Sequence, residues 1–401
     1  MRQAFILLLL TGIAFGQSFY NRLGYGTFNA SASAYAASMG YATVAYSDSN
    51  TVLNANPAAW NRLRRVFFSS GGSSAVTQIN LDGSRIQRND TRFQTGQIAF
   101  PIGREVGFAL GLEPVTDLNS EMDSESAEGV LSETQSGGIW RYYLGAGYRV
   151  TPKLSIGARL DILNGLQQRS FIQEYDSSAV ATGAAVSSEI SGIISGSSFA
   201  VGGQLDFTEK LQLGLLLDLP LEQPHFSGTV IMSGVAGELD YEEAFTDWPV
   251  RVEAGIRYRQ SERLNLYVSL AQWVFTEDAF SEAVLPGMPS SWSARSMGAL
   301  QLGLVRLPRD LNSRRIVERM ETRLGFNSRN FYLTPVSGQL IYEYFAAGGF
   351  SLPLMERKSR LDASLEIGKR SGVEDYPDEW ISRIRLGVQL NEVWFRNVKR
   401  R

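Results

Sequence analysis

The sequence predicts an all-β fold: a transmembrane antiparallel β-barrel of about 14 strands with a small N-terminal plug in its lumen. Three observations point there. Strands with one apolar face and one polar, glycine-rich face recur along the chain, and short turns alternate with long polar connections. An apolar leader opens the chain, yet no later stretch is apolar over the ~18 residues that a spanning helix needs. In the clearest strand, Val250, Val252, Ala254, Ile256 and Tyr258 alternate with Arg251, Glu253, Gly255, Arg257 and Arg259. Successive side chains of a strand point to opposite faces, so this segment sets oil against charge. A chain built almost wholly of such strands needs an apolar surrounding on one side. A bilayer outside a closed, water-lined wall supplies it.

Taken in order, Met1-Arg2 gives a short positive region and Ala4–Phe15 an apolar one, with Ala14-Phe15-Gly16 a small-residue cleavage site. Residues 1–16 therefore read as a signal peptide and Gln17 as the mature N-terminus. An exported chain without a helical anchor is either released or built into an outer-membrane barrel. The absence of cysteine excludes disulfides and thiolate chemistry, and a formal charge of −3 offers nothing to nucleic acid. The expected organisation is a signal peptide at 1–16, a plug at 17–64, a barrel at 65–395 and a basic tail at 396–401.

The strand candidates are 10–14 residues long, near what a tilted strand needs to cross a bilayer. Trp140, Tyr142, Leu144, Ala146 and Tyr148 oppose Arg141, Gly145, Gly147 and Arg149, and a Thr151-Pro152-Lys153 turn follows. Leu154, Ile156, Ala158, Leu160 and Ile162 then oppose Ser155, Gly157, Arg159 and Asp161. Phe199, Val201 and Leu205 lead through Thr208-Glu209-Lys210 into Leu211, Leu213, Leu215, Leu217 and Leu219. The turn at 260–263 joins the Val250 strand to Leu264, Leu266, Val268 and Leu270. Leu361–Ile367 and Ile384–Leu390 repeat the alternation, with weaker candidates at 65–76, 91–100, 104–116, 296–307, 316–328 and 340–353. Long polar stretches at about 171–195, 227–248 and 276–295 read as outer loops, opposite the tight periplasmic turns. Arg141, Arg149, Arg159, Arg251, Glu253, Arg257, Arg383 and Arg385 are expected to face the lumen as a charged wall, pairing across it.

The segment 29–60 is different: small residues, short helical pieces and breaks at Asp48-Ser49-Asn50 and Asn56-Pro57. Pro57 suits a first helical turn with Asn56 as its cap. Small side chains allow close packing inside a lumen, so this segment reads as the plug. Its run Ala37-Ser38-Met39-Gly40, with 42–45, 48–50 and Asn56-Pro57-Ala58, resembles the N-terminal hatch of FadL-type outer-membrane proteins. That family includes long-chain fatty-acid and aromatic-hydrocarbon transporters and the PorV-type proteins of a secretion system. Residues 387–395 resemble the closing strand of PorV-like relatives. The sequence departs from the pattern at its end, where Lys399-Arg400-Arg401 stand in place of a terminal aromatic, leaving Phe395 to serve.

The resemblance implies a barrel of about fourteen strands with a plug, and a hatch contact set of Met39, Tyr41, Tyr46, Asn54, Asn56, Pro57 and Ala58. It implies uptake of hydrophobic small molecules, with outer-membrane lipid and an apolar ligand as partners. The alternative is a PorV-like scaffold that binds an exported protein or a secretion component. No dedicated clamp for a ligand carboxylate is evident. An apolar lumenal lining near residues 40–60 would favour transport, and a lumen closed by ion pairs would favour the scaffold.

Catalysis is not expected. The lone histidine, His225, reads as loop or strand end with no activated serine marked beside it, and one histidine argues against zinc. No cofactor or metal is expected. The acidic stretch Asp117, Glu121, Asp123, Glu125, Glu128 and Glu133 has calcium-type oxygen ligands in no compact loop spacing, and reads as a solvated outer loop.

Overall fold

In the computed structural model the described residues are 18–81, 84–126, 129–175, 185–232, 239–244, 248–276, 292–354, 359–374 and 376–392. The expected signal peptide, the tail at 396–401, Phe395, Glu128 and most of 276–295 lie outside them. Fourteen staves form the wall: β1 Val66–Leu81, β2 Ser84–Ile102, β3 Val106–Pro114, β4 Gly129–Arg149, β5 Leu154–Tyr175, β6 Ala185–Asp206 and β7 Leu211–Met232, then β8 Val250–Arg259, β9 Leu264–Val274, β10 Met297–Arg306, β11 Glu321–Asn330, β12 Tyr342–Leu354, β13 Ser359–Ser371 and β14 Asp378–Glu392. Each pairs antiparallel with the next, and β14 pairs back with β1 from Val66↔Glu392 to Asn80↔Asp378, closing the ring. The sheet holds 16 strands; Ser120–Ser126 and Leu239–Ala244 prolong the tracks of β3 and β8, which leaves 14 staves.

Closure pairs the staves round the ring, and the alternation then sorts side chains by solvent. Leu144 (58% exposed), Leu160, Leu215, Leu270, Leu324 and Ile384 face out from staves round the ring. Arg159, Arg323, Arg385, Glu253 and Glu366 face in and are buried. No helix among the described residues is long and apolar enough to span a membrane. The tight turns share a local device. Thr151, Thr208 and Ser261 each accept, through the side-chain oxygen, the backbone N–H groups two and three residues on. A hydroxyl that folds the chain on itself in this way explains why short polar triplets suffice to reverse the strands.

Three expectations are corrected. Staves β5, β6 and β7 run 22 residues each, so 185–195 and 227–232, expected as loop, are strand. Their upper halves carry serine, threonine and glutamine on the outward face and rise beyond the apolar band, where period alone no longer signals a buried surface. His225 lies inside β7, facing out, where its Nε2 is 3.0 Å from Ser195 Oγ on β6. The acidic stretch is also mostly strand: Ser120–Ser126 pairs with β4, Asp117 bonds Arg92 at 2.7 Å, and Glu133 is buried against Arg169. Among the described residues no group of three or more potential ligands could hold a metal.

Candidate functional site

Residues 18–65 run through the inside of the ring. A one-turn helix, α1 (Ala34–Ser38), starts at Ser33, whose side chain accepts from the Tyr35 and Ala36 amides. The chain then reverses at Gly40 and Tyr41, both at positive φ (58° and 67°). A second short turn, Pro57–Arg62, is capped by Asn56, whose Oδ1 accepts from Ala58 N at 3.0 Å. The other end of the same amide ties segment to wall. Asn56 Nδ2 donates to the carbonyls of Val44, Gly203 and Leu215 at 2.9–3.2 Å.

The wall accommodates this segment by omitting side chains. A Cβ on Gly147 would lie 2.3 Å from Pro57 O, on Gly157 2.4 Å from Pro57 C, and on Gly202 2.0 Å from Asn56 Oδ1. On Gly214 it would meet Val44 O at 2.4 Å, and on Gly325 Gly40 N at 2.0 Å. These glycines form an arc near the short-turn end, and lumenal backbone fills the space their side chains would take.

Arginines fasten what the glycines admit. Arg159 donates to Asn54 O (2.6 Å) and to Asp161, Arg385 to Tyr41 Oη (2.6 Å) and to Glu366, and Arg323 to Ser38 Oγ (2.6 Å). Tyr41 Oη donates to Glu366 at 2.5 Å. Of the expected charged wall, Arg141 pairs with Glu113 and Asp161, Arg251 with Glu253, and Arg383 with Glu366. Two residues depart from the expected cross-wall pairing. Among the described residues, Arg257 meets only the neutral oxygens of Gln212 and Asn265, and Arg149 has no ion pair.

The seven hatch residues are all buried but do not converge. Asn54, Asn56, Pro57 and Ala58 sit against β4–β7, Met39 against β10–β11, and Tyr41 against β13–β14, while Tyr46 bonds Tyr35 at 2.9 Å. Two clefts beside the segment, one bordered by Tyr35 and Leu53 and one by Tyr41, measure only about 30 Å³ each. That is room for a water or two.

A larger space indents the outer face of the wall. Stave β2 pairs with β3 only as far as Gly96↔Leu112; beyond Pro114 the chain turns inward, and Thr116–Asp117 pairs with Thr27–Phe28 of the lumenal segment. Stave β4 follows the dip at Gly137 and Gly138, with φ of 123° and 149°, where a Cβ would strike Leu166 O and Thr116 O. The resulting notch, about 510 Å³, is lined by Arg92, Leu112, Trp140, Tyr142 and Leu166, and Phe93 stacks on Trp140 across its mouth. Trp140 stands about 30 Å along the strand from Arg149 at ~3.3 Å per residue, near the top of the lipid-facing band. Arg92 bridges to Asp117 at the floor. Behind lies an aromatic cluster that includes Tyr25, Phe28, Phe226, Trp248, Phe275 and Tyr332. The sequence reading missed this notch, although Pro114 beside a strand and the Gly137-Gly138 doublet were signals of an interrupted stave.

Fold and site thus define a closed 14-stave barrel with an internally packed N-terminal segment and a side opening. A family model described as BamG matches residues 3–400, and the chain belongs to that family. Three solved structures share the fold. The monoaromatic hydrocarbon channel CymD is 14% identical, covers 92% of this chain and 100% of its own, and has a TM-score of 0.62. The Ralstonia pickettii toluene transporter TbuX is 14% identical, covers 89% and 97%, and scores 0.60. A Pseudomonas aeruginosa FadL homologue is 13% identical, covers 94% and 99%, and also scores 0.60. No curated protein matches the sequence.

Proposed function

We propose that this chain is an outer-membrane barrel that takes up hydrophobic small molecules, of the long-chain fatty-acid or hydrocarbon type, with residues 17–64 as its plug and 1–16 as its signal peptide. The observation that carries the reading is the apolar notch on the outer face of the wall, whereas the ion pairs that fasten the lumenal segment favour the scaffold. Apolar solutes are not carried through polar, tightly filled space, but a notch walled by Trp140, Tyr142 and Leu166 offers shielded apolar surface beside the bilayer. A ligand would enter from the outer side, rest in the notch and leave laterally between β2 and β3. Withdrawal of the Thr27–Phe28 pair from Thr116–Asp117 would extend the space to the aromatic cluster. The names of the similar barrels, as hydrocarbon channels and a toluene transporter, support the ligand class.

A second reading, a scaffold for an exported polypeptide or secretion component, draws on the ion-paired seat and on the long staves β5–β7. Native mass spectrometry on protein purified from its own membrane separates the two. A co-purifying acyl chain or hydrocarbon is the expected outcome; a stoichiometric polypeptide without small ligand would replace transport by the scaffold.

A further inference from the structure

The short-turn mouth holds a cationic recess that the uptake reading does not use. It measures about 310 Å³ and is lined by Arg62, Lys210, Arg257 and Arg259, with Asp206 and Glu209 as its acids. Four cations against two carboxylates leave an excess of two positive charges. Asp206 is spent on Arg62, at 2.6 Å. Among the described residues, half-buried Arg257 is satisfied only by neutral amide oxygens at 3.3 and 3.4 Å, whereas Arg159, Arg323, Arg370 and Arg385 on the same inner wall each hold a carboxylate. The recess also reaches the lipid side. Leu211 lines it and pairs with Tyr258, and the outward Leu213 and Ile256 pair directly above.

We propose that this recess binds a phosphate group, with Lys210, Arg257 and Arg259 as its donors. Guanidinium forks and a lysine ammonium match phosphate oxygens in charge and geometry. An anionic phospholipid of the inner leaflet can supply the group, its chains lying along Leu213, Ile256 and Tyr258; a soluble phosphate in the periplasm presents the same oxygens. This proposal stands independently of hydrophobic uptake, since neither the notch nor the aromatic cluster enters it.

The test uses the full mature chain and a Lys210→Gln/Arg257→Gln/Arg259→Gln variant in zwitterionic detergent. Both are incubated with phosphatidylglycerol or phosphatidylcholine of matched chains and read by native mass spectrometry. In parallel, both are dialysed against radiolabelled inorganic phosphate. Retention of phosphatidylglycerol over phosphatidylcholine, weakened about fivefold for each cation removed, identifies a lipid head group. Saturable inorganic phosphate binding that the variant loses, without lipid preference, identifies a soluble anion. Absence of both, or binding equal in wild type and variant, overturns the site. Heat-modifiable electrophoretic mobility checks that the variant barrel folds, and Lys210→Gln alone, at an exposed turn, replaces it if it does not.

Discussion

The lumenal seat and the lateral notch lie on the same wall and are built in opposite ways. At the seat, inward glycines let the backbone of 38–61 press on the backbone of the staves, and buried arginines lock the contact. At the notch, β3 turns inward beyond Pro114 and leaves β2 without that partner above Gly96, two positive-φ glycines let β4 follow, and aromatic rings border open space. Glycine acts here by context. On a regular stave it admits a neighbour, and at an interrupted stave it permits the interruption.

The largest break in this comparison is removal of what the seat holds. Deleting Asn29–Trp60 should leave a folded barrel with raised conductance in planar bilayers; unchanged conductance would remove the plug assignment. Next comes Arg159→Ala, which takes from the fully buried Asp161 its closest cation, at 2.7 Å, and leaves it Arg141 at 3.5 Å. Loss of one partner of a buried pair costs about 3–5 kcal/mol, and the thermal transition of the heat-modifiable band should fall accordingly. Gly202→Val should cost about 1–3 kcal/mol or more by overpacking. The adjacent Gly203→Val is its control, because nothing lies within 4 Å of a Cβ there. Equal melting of the two glycine variants would mean that the seat is not close-packed. At the notch, Trp140→Ala removes a ring stack worth about 0.5–1.5 kcal/mol. It should weaken binding of an apolar fluorescent ligand while melting changes less than for Arg159→Ala. Unaltered ligand binding would move the entry route elsewhere.

Much of the wall was legible because a membrane strand encodes its two solvents in strict alternation. Val250–Arg259 needed only its period to assign every residue to lipid or lumen. The same reasoning failed above the bilayer. Past the apolar band the outward faces of β5–β7 turn polar, and 185–195 reads as loop though it is strand between β5 and β7. The seven hatch residues were legible as an interior segment. Their dispersal round the ring was not, because helix caps and small residues set local conformation without naming a partner stave. Arg257 was expected to pair like its neighbours and does not, since pairing depends on what stands across the lumen.

The sequence by itself determined a closed antiparallel wall, its polarity inside and out, its tight turns and a small-residue segment suited to the interior. These follow from local chemistry: period two, hydroxyl turns, and the absence of bulk. The tertiary structure alone decided where the ring opens, which glycine meets which carbonyl, and which arginine is left without a carboxylate. Those properties belong to register and to long-range juxtaposition, such as Gly157 against Pro57 and Asp117 against Thr27, and no window of sequence contains both members of such a pair.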